Sequence, residues 1–260
     1  MSRPVAPPPA SPGRAEHYSY SVYADPAMAQ QFEQARFGGP IGSLLAETQE
    51  RVLIEFAGAG PGCRVVDVGT GTGRAAIALA ARGADVIGVD ASREMLKVAE
   101  ARAAERHVAV RFEVGDAHHL PLDDRSVDVA VSLRVLMHTP DWRQCIGELC
   151  RVARARVVLD YPALASAATV QVIGRRVGRL AGRNVEAYRV FRHNTIRREL
   201  TAHGFAVREF HRQFVLPIAF HKLMGSRSAT ERIERWLAGV GLLRLLGSPV
   251  TLVADRCASS

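Results

Sequence analysis

A chain of 260 residues with 48% hydrophobic content is long enough for one substantial core with embellishments and short for two full domains. No apolar run nears the roughly eighteen residues of a membrane-spanning helix; residues 214–220, FVLPIAF, are far too few. The formal net charge of +8 is uneven, with 15 Lys and Arg against 19 Asp and Glu in residues 1–150 and 19 against 7 in residues 151–260. The basic excess is almost all arginine, with only Lys97 and Lys222 as lysines, which compositional bias alone would also produce. Cys63, Cys145, Cys150 and Cys257 form no CxxC pair and have no histidine at zinc spacing, so the expectation is a reduced, cytoplasmic chain, no metal, and thiols serving as small buried hydrophobes.

Residues 1–14, MSRPVAPPPASPGR, hold five prolines and no secretory apolar stretch, and are expected to be a disordered tail. Asp25 and Pro26 pair as N-cap and first-turn residue of a short helix that Gly38 and Gly39 stop. A second helix is expected from near Ser43, where Leu44, Leu45, Thr48, Val52 and Phe56 recur on one face before Gly58. Residues 15–58 thus read as an N-terminal helical cap, ahead of a main domain over 59–260.

From Cys63 the pattern alternates. CRVVDV reads as a strand, RAAIALAAR as a helix, ADVIGVD as a strand, SREMLKVAEARAAE as a helix capped by Ser92, and VAVRFEV as a half-buried strand. SVDVAVS, a helix from Asp141 over DWRQCIGELCRVA, and the strand ARVVLDY follow. NTIRRELTAHG is a helix with Asn194 or Thr195 as cap and Gly204 as stop, and FAVREFHRQFV and PVTLVADR are the last strands. Alternation of this kind implies an α/β fold with a doubly wound, mostly parallel seven-stranded sheet. Insertions at about 163–192 and 215–247 are long for plain connections. In the first, TVQVIGRRVGRLAGRN sets Val170, Ile173, Val177 and Leu180 on one helical face and Arg175, Arg176, Arg179 and Arg183 largely elsewhere. Such a helix touches an anionic membrane peripherally, reaches a lipophilic or anionic substrate, or packs on its own sheet with solvated arginines.

Between the first strand and its helix, residues 65–76 read VVDVGTGTGRAA. A glycine turn there admits a ligand to the backbone, and the helix N-terminus adds free amide donors. Asp90, about twenty residues on at the end of the next strand, adds an acid at the offset of a ribose-binding carboxylate. Gly71, Gly73 and Ala76 also satisfy GxGxxA, the dinucleotide fingerprint. Asp67 opposes that reading, because a pyrophosphate about 4 Å from its carboxylate costs roughly 4 kcal/mol at an effective dielectric near 20. A cationic ligand would gain from the same acid.

DVGTGTG with Asp90, then GDAHHLPLDDRSVDVAVS and VLMHTPD, resembles the class I S-adenosylmethionine-dependent methyltransferases, closest to the small-molecule group that includes the quinone C-methyltransferases. The resemblance runs from about Cys63 to Tyr161 and more loosely from His193 to Arg256. It implies a Rossmann-like methyltransferase fold in which Asp67, Gly69, Thr70, Gly71 and Gly73 surround the methionine moiety and Asp90 takes both ribose hydroxyls. It further implies Ala91 and Met95 against ribose and adenine, Asp116 accepting from the adenine amino group, the Ala117 backbone at the ring, and Ser132 and Leu133 near the reacting methyl.

Methyl transfer from a sulfonium releases a neutral leaving group, so alignment and water exclusion supply much of the acceleration. His138, in VLMHTPD, is the candidate base, set against a role in hydrogen-bonding its loop. Tyr161 and His193 are further candidates on the substrate side. Tyr18, Tyr20 and Tyr23 are candidate caps over the site, and Arg36 is a candidate partner for the cofactor carboxylate. His118 and His119 read as surface histidines rather than metal ligands, and Asp123, Asp124 and Arg125 as a solvated turn. The expected activity is methylation of oxygen or carbon on a small hydrophobic or phenolic acceptor, by a monomer or homodimer. Alternatives are an RNA- or DNA-methylating enzyme, a dinucleotide-dependent oxidoreductase, and a non-catalytic cofactor-binding protein. Nucleic-acid methylation is disfavoured because SLRV stands where amino-methylating enzymes carry Asn/Asp-Pro-Pro-aromatic.

Overall fold

The computed structural model describes residues 36–139, 141–166 and 189–258. The tail, the Asp25 helix, Tyr18, Tyr20 and Tyr23, and the amphipathic pattern from Val170 to Arg183 lie outside the described residues. Strands β1 (Arg64–Val68), β2 (Asp85–Asp90), β3 (Arg111–Val114), β4 (Val127–Ser132), β5 (Ala153–Tyr161), β6 (Phe205–Phe214) and β7 (Ser248–Arg256) form one sheet in the order β3-β2-β1-β4-β5-β7-β6. The first five are parallel, and β7 lies antiparallel between β5 and β6. Strand order reverses between β1 and β4, the crevice where open α/β sheets hold ligands at their carboxyl ends.

Helices are α1 (Gly39–Ala57), α2 (Arg74–Ala80), α3 (Arg93–Glu105), α4 (Trp142–Val152), α5 (His193–Ala202), α6 (Ile218–Met224), α7 (Arg227–Gly239) and α8 (Leu242–Leu246). Valines crowd the strands because both faces of the sheet are covered. Val66, Val68, Ile87 and Val89 join Ile146 and Leu149 of α4 and Ile196 and Leu200 of α5 in one core cluster. The alternate residues Val65, Val86, Val129 and Val131 pack with Val52, Leu53 and Phe56 of α1 and with Ala76 and Leu79 of α2. The carboxyl half of α1 is therefore core, and only the chain just before its start reaches the site.

Several element boundaries differ from expectation for local reasons. Gly39 opens α1, four residues ahead of Ser43, because Pro40 fits the first helical turn, where a missing N–H costs nothing. Neither Asn194 nor Thr195 caps α5; it starts at His193, and the Thr195 amide donates instead to the Arg192 carbonyl at 2.9 Å. β3 begins at Arg111 because the Val108 amide bonds back to Ala103 of α3 at 3.1 Å. Ser92 and Asp141 do cap, accepting from the Met95 amide at 3.1 Å and the Gln144 amide at 3.2 Å. Cys145 and Cys150 are buried as expected, whereas Cys257 is exposed beyond the last strand. The described ends of the first insertion are stapled, the Phe191 amide donating to Pro162 at 2.9 Å and the Leu164 amide to Phe191 at 2.8 Å. Among the described residues, no helix is long and apolar enough to cross a membrane.

Candidate functional site

A cavity opens at the carboxyl ends of β1, β2 and β4, and its wall includes Asp67, Gly69, Thr70, Gly71, Asp90, Ala91 and Met95. The loop after β1 hangs from β2: the Gly69 and Thr70 amides donate to the Val89 carbonyl at 2.7 and 3.0 Å. Gly69 and Gly73, both at positive φ, are bare because a Cβ would strike Val135 at 2.2 Å and Ala99 at 2.9 Å respectively. Gly71 differs. Its φ is +55°, and a Cβ there meets nothing within 4 Å, so the space it leaves belongs to the cavity.

Two acids flank this loop. Asp67, 2% exposed, accepts from the Thr70 hydroxyl at 2.7 Å and the Ala76 amide at 3.1 Å, both on Oδ2. Burial pushes it up to about 6 against those bonds. Asp90 accepts from the Gly71 amide at 2.8 Å on Oδ2 and the Ser92 amide at 2.9 Å on Oδ1, and burial raises it as well. A carboxylate has about four lone-pair sites, so each acid is fixed by the backbone with accepting capacity to spare.

Beyond β4 the wall is built by Leu133, Arg134, Val135 and His138. His138 is buried at the end of a single 3-10 turn, Leu136–His138. Ser132 stands behind Leu133, its hydroxyl donating to the Val68 carbonyl at 3.1 Å. After β3 the wall comprises Gly115, Ala117 and His118. His118 is 1% exposed and is not the surface histidine expected; His119 alone fits that description. The Asp116 carboxylate oxygen Oδ1 turns toward this ring, 2.6 Å from His118 Nδ1, and also accepts the His118 amide at 2.9 Å. Asp116 thereby orients His118, a role its turn position alone does not reveal. The expected turn at Asp124 is tied down by Arg151, 2.8 Å away.

Arg36 lies on the wall beside Phe37. Tyr161 and His193 are brought together elsewhere, the phenol oxygen 2.5 Å from Nδ1, among Phe191 and Phe210. Burial raises the phenol, and burial with the Arg212 and Arg197 charges lowers the imidazole, so the pair is held neutral. Neither residue is on the cavity wall. Among the residues that escaped the sequence reading are Arg74 on the wall and Asp160 behind it. Arg74 lines the cavity with its guanidinium 4.0 Å over the Phe37 ring and 2.7 Å from Gln49. Asp160, 1% exposed and pushed up to about 6 by burial, accepts the amide of Arg134, whose φ of +65° turns that residue onto the wall. An acid inside the apolar run VVLDY was the available signal. Among the described residues no three His, Cys, Asp or Glu side chains are grouped to hold a metal.

Residues 66–159 match a family model described as a methyltransferase domain. An uncharacterised protein of Mycobacterium tuberculosis, Rv1405c, is 37% identical over 103 residues, covering 40% of this chain and 38% of that protein. The demethylmenaquinone methyltransferase of Deinococcus radiodurans is 34% identical over 137 residues, covering 48% and 57%. The chain thus spans well under two thirds of either relative's length. Among solved structures, magnesium protoporphyrin IX methyltransferase from Synechocystis PCC 6803, with bound SAH, superposes with a TM-score of 0.64 at 20% identity, over 92% of this chain and 98% of that one. The matched segment supplies the glycine loop, both flanking acids and the β4 wall, and the chain shares its fold with the solved methyltransferase.

Proposed function

We propose that the chain binds S-adenosylmethionine in this cavity and transfers its methyl group to oxygen or carbon of a small, hydrophobic or phenolic acceptor. The reading is carried by two carboxylates, the buried Asp67 and the half-buried Asp90, beside the open space at Gly71. That donor set fits the cofactor: Asp67 suits its cationic amino-acid end, Asp90 has acceptor sites for ribose hydroxyls, and Arg36 or Arg74 is at hand for its carboxylate. When bound, the cofactor supplies an electrophilic methyl on a sulfonium. The protein's part is to align the acceptor and exclude water. Phe37, Leu133 and Val135 share the wall with His138, which supports an apolar acceptor whose hydroxyl or acidic C–H proton passes to that buried imidazole.

Calorimetric titration with S-adenosylhomocysteine, NAD and NADP tests the reading. Binding of the first alone is expected, and Asp90→Ala should weaken it by roughly 1.5–3 kcal/mol for each charge-assisted bond lost. Uptake of a dinucleotide in its place overturns the assignment. Incubation of extracts with isotope-labelled S-adenosylmethionine then identifies the acceptor, and a pH-rate profile unaltered in His138→Ala removes that residue as base.

A further inference from the structure

Among the described residues, eight large apolar side chains stand well exposed, and six of them fall between Phe220 and Leu246. They are Phe220 and Leu223 on α6, Trp236 on α7, Val240 at its C-cap, and Leu245 and Leu246 on α8. Leu223 is 88% exposed and Trp236 66%. Arg232 and Trp236 are four residues apart and so share one flank of α7. Residues 215–247 also carry five Lys or Arg against two Asp or Glu. One of those acids, Glu234, is spent internally, accepting from the Val215 and Leu216 amides and from His221 Nε2. Lys222, Arg232, Arg235 and Arg244 are exposed in the same stretch.

Topology sets where this stretch lies. β5 and β6 both run antiparallel to β7, so Phe214 ends β6 at the side of the sheet where Asp67 and Asp90 end their strands. The link to the cavity is direct: Phe214 packs with Leu44 and Leu45 beside Phe37, and Lys222 Nζ donates to the Arg36 carbonyl at 3.1 Å.

We propose that α6, α7 and α8 form a docking surface for an anionic lipid membrane, with Leu223, Trp236 and Leu245 entering the interface and the exposed cations meeting acidic head groups. The charge selects this occupant. A second copy related by twofold symmetry would set like charges against each other, and nucleic acid would use the cations while leaving the leucines and tryptophan in water. A bilayer edge satisfies both sets at once, since long basic side chains reach head groups while their neighbours bury apolar surface. Docking stands independently of methyl transfer; under that reading it brings the cavity mouth to acceptors that partition into lipid.

Trp142 is buried and Trp236 exposed, so a blue shift of tryptophan emission with added lipid reports Trp236. The full chain should co-sediment with phosphatidylcholine vesicles containing phosphatidylglycerol at least about tenfold more than with phosphatidylcholine alone, less so at high salt, and show that shift. Leu223→Ser with Leu245→Ser, and separately Arg232→Glu with Arg235→Glu, should each reduce co-sedimentation to the neutral-vesicle level at unchanged melting temperature and unchanged S-adenosylhomocysteine affinity. Absence of lipid binding, equal binding to neutral vesicles, or full retention by both variants overturns the proposal. So does a concentration-dependent dimer that the serine variant abolishes, or displacement of the protein from vesicles by RNA.

Discussion

At Asp67 the fold holds an acid where burial resists its charge, lifting it from the ordinary 3.8 to about 6. Between those values the folded chain binds more protons than the unfolded one, so the stability this group contributes is fullest below about 4 and is lost as pH rises to about 6. Asp67→Asn removes that loss while its amide oxygen still accepts from Thr70 and Ala76. Melting temperatures of the unliganded proteins should therefore diverge in the variant's favour from pH 4 to pH 6 and stay parallel above; parallel curves throughout would show that the acid is not raised. Asp160, raised into the same range, is common to both proteins and cancels in the comparison. Ligand binding runs the other way. The ligand's ammonium group needs the ionised acid, so S-adenosylhomocysteine affinity should decline below about pH 6 in the wild type and be flatter in the variant. Gly71 gives a second check, because a Cβ there strikes nothing in the protein. Gly71→Ala should cost about 1–2 kcal/mol for its left-handed φ yet abolish binding; retained affinity would mean that the open space is not the ligand's.

Helix α3 joins stability to the site, since Ser92 both lines the cavity and caps the helix. Ser92→Ala should cost about 0.5–2 kcal/mol, a fall in melting temperature of roughly 2–4 °C per kcal/mol for a chain near this size, measurable by thermal shift. Elements of this kind were legible because their determinants are local: Ser92 and Asp141 as caps, alternating valines as doubly covered strands, three glycines and two acids at fixed offsets. What the sequence hid was decided at a distance. His118 is buried because Asp116 and the cavity wall claim its ring, and nothing in AHHL distinguishes it from exposed His119. Arg74 reads as a first-turn helix residue until α1 brings Gln49, and the chain just before α1 brings Phe37, beside it. Tyr161 and His193 were each legible as candidates, but not their pairing with one another away from the cavity.

For the molecule as a whole, alternation of strands and helices made the parallel half of the sheet readable, whereas no local feature of PVTLVADR states that β7 inserts between β5 and β6. That insertion places residues 215–247 at the cavity end, and one buried carboxylate ties their helices to the end of β6. Glu234 receives Val215 N at 2.8 Å, Leu216 N at 3.0 Å and His221 Nε2 at 2.8 Å, joining α7 to the end of β6 and to α6. Glu234→Ala leaves three donors without their acceptor, each costing roughly 1–3 kcal/mol if it stays buried, so the insertion should open locally rather than pay that cost. The sheet retains its two core clusters, neither of which includes a residue of α6, α7 or α8. Limited proteolysis should therefore cut faster within 215–247 while β1 to β5 stay protected, and S-adenosylhomocysteine should bind more weakly because Lys222 no longer holds the Arg36 backbone. Glu234→Gln, which keeps one accepting oxygen, should fall between the two. Equal acceleration of cleavage in β5 and in the insertion would show that the whole molecule unfolds as one unit and that Glu234 is no local pin.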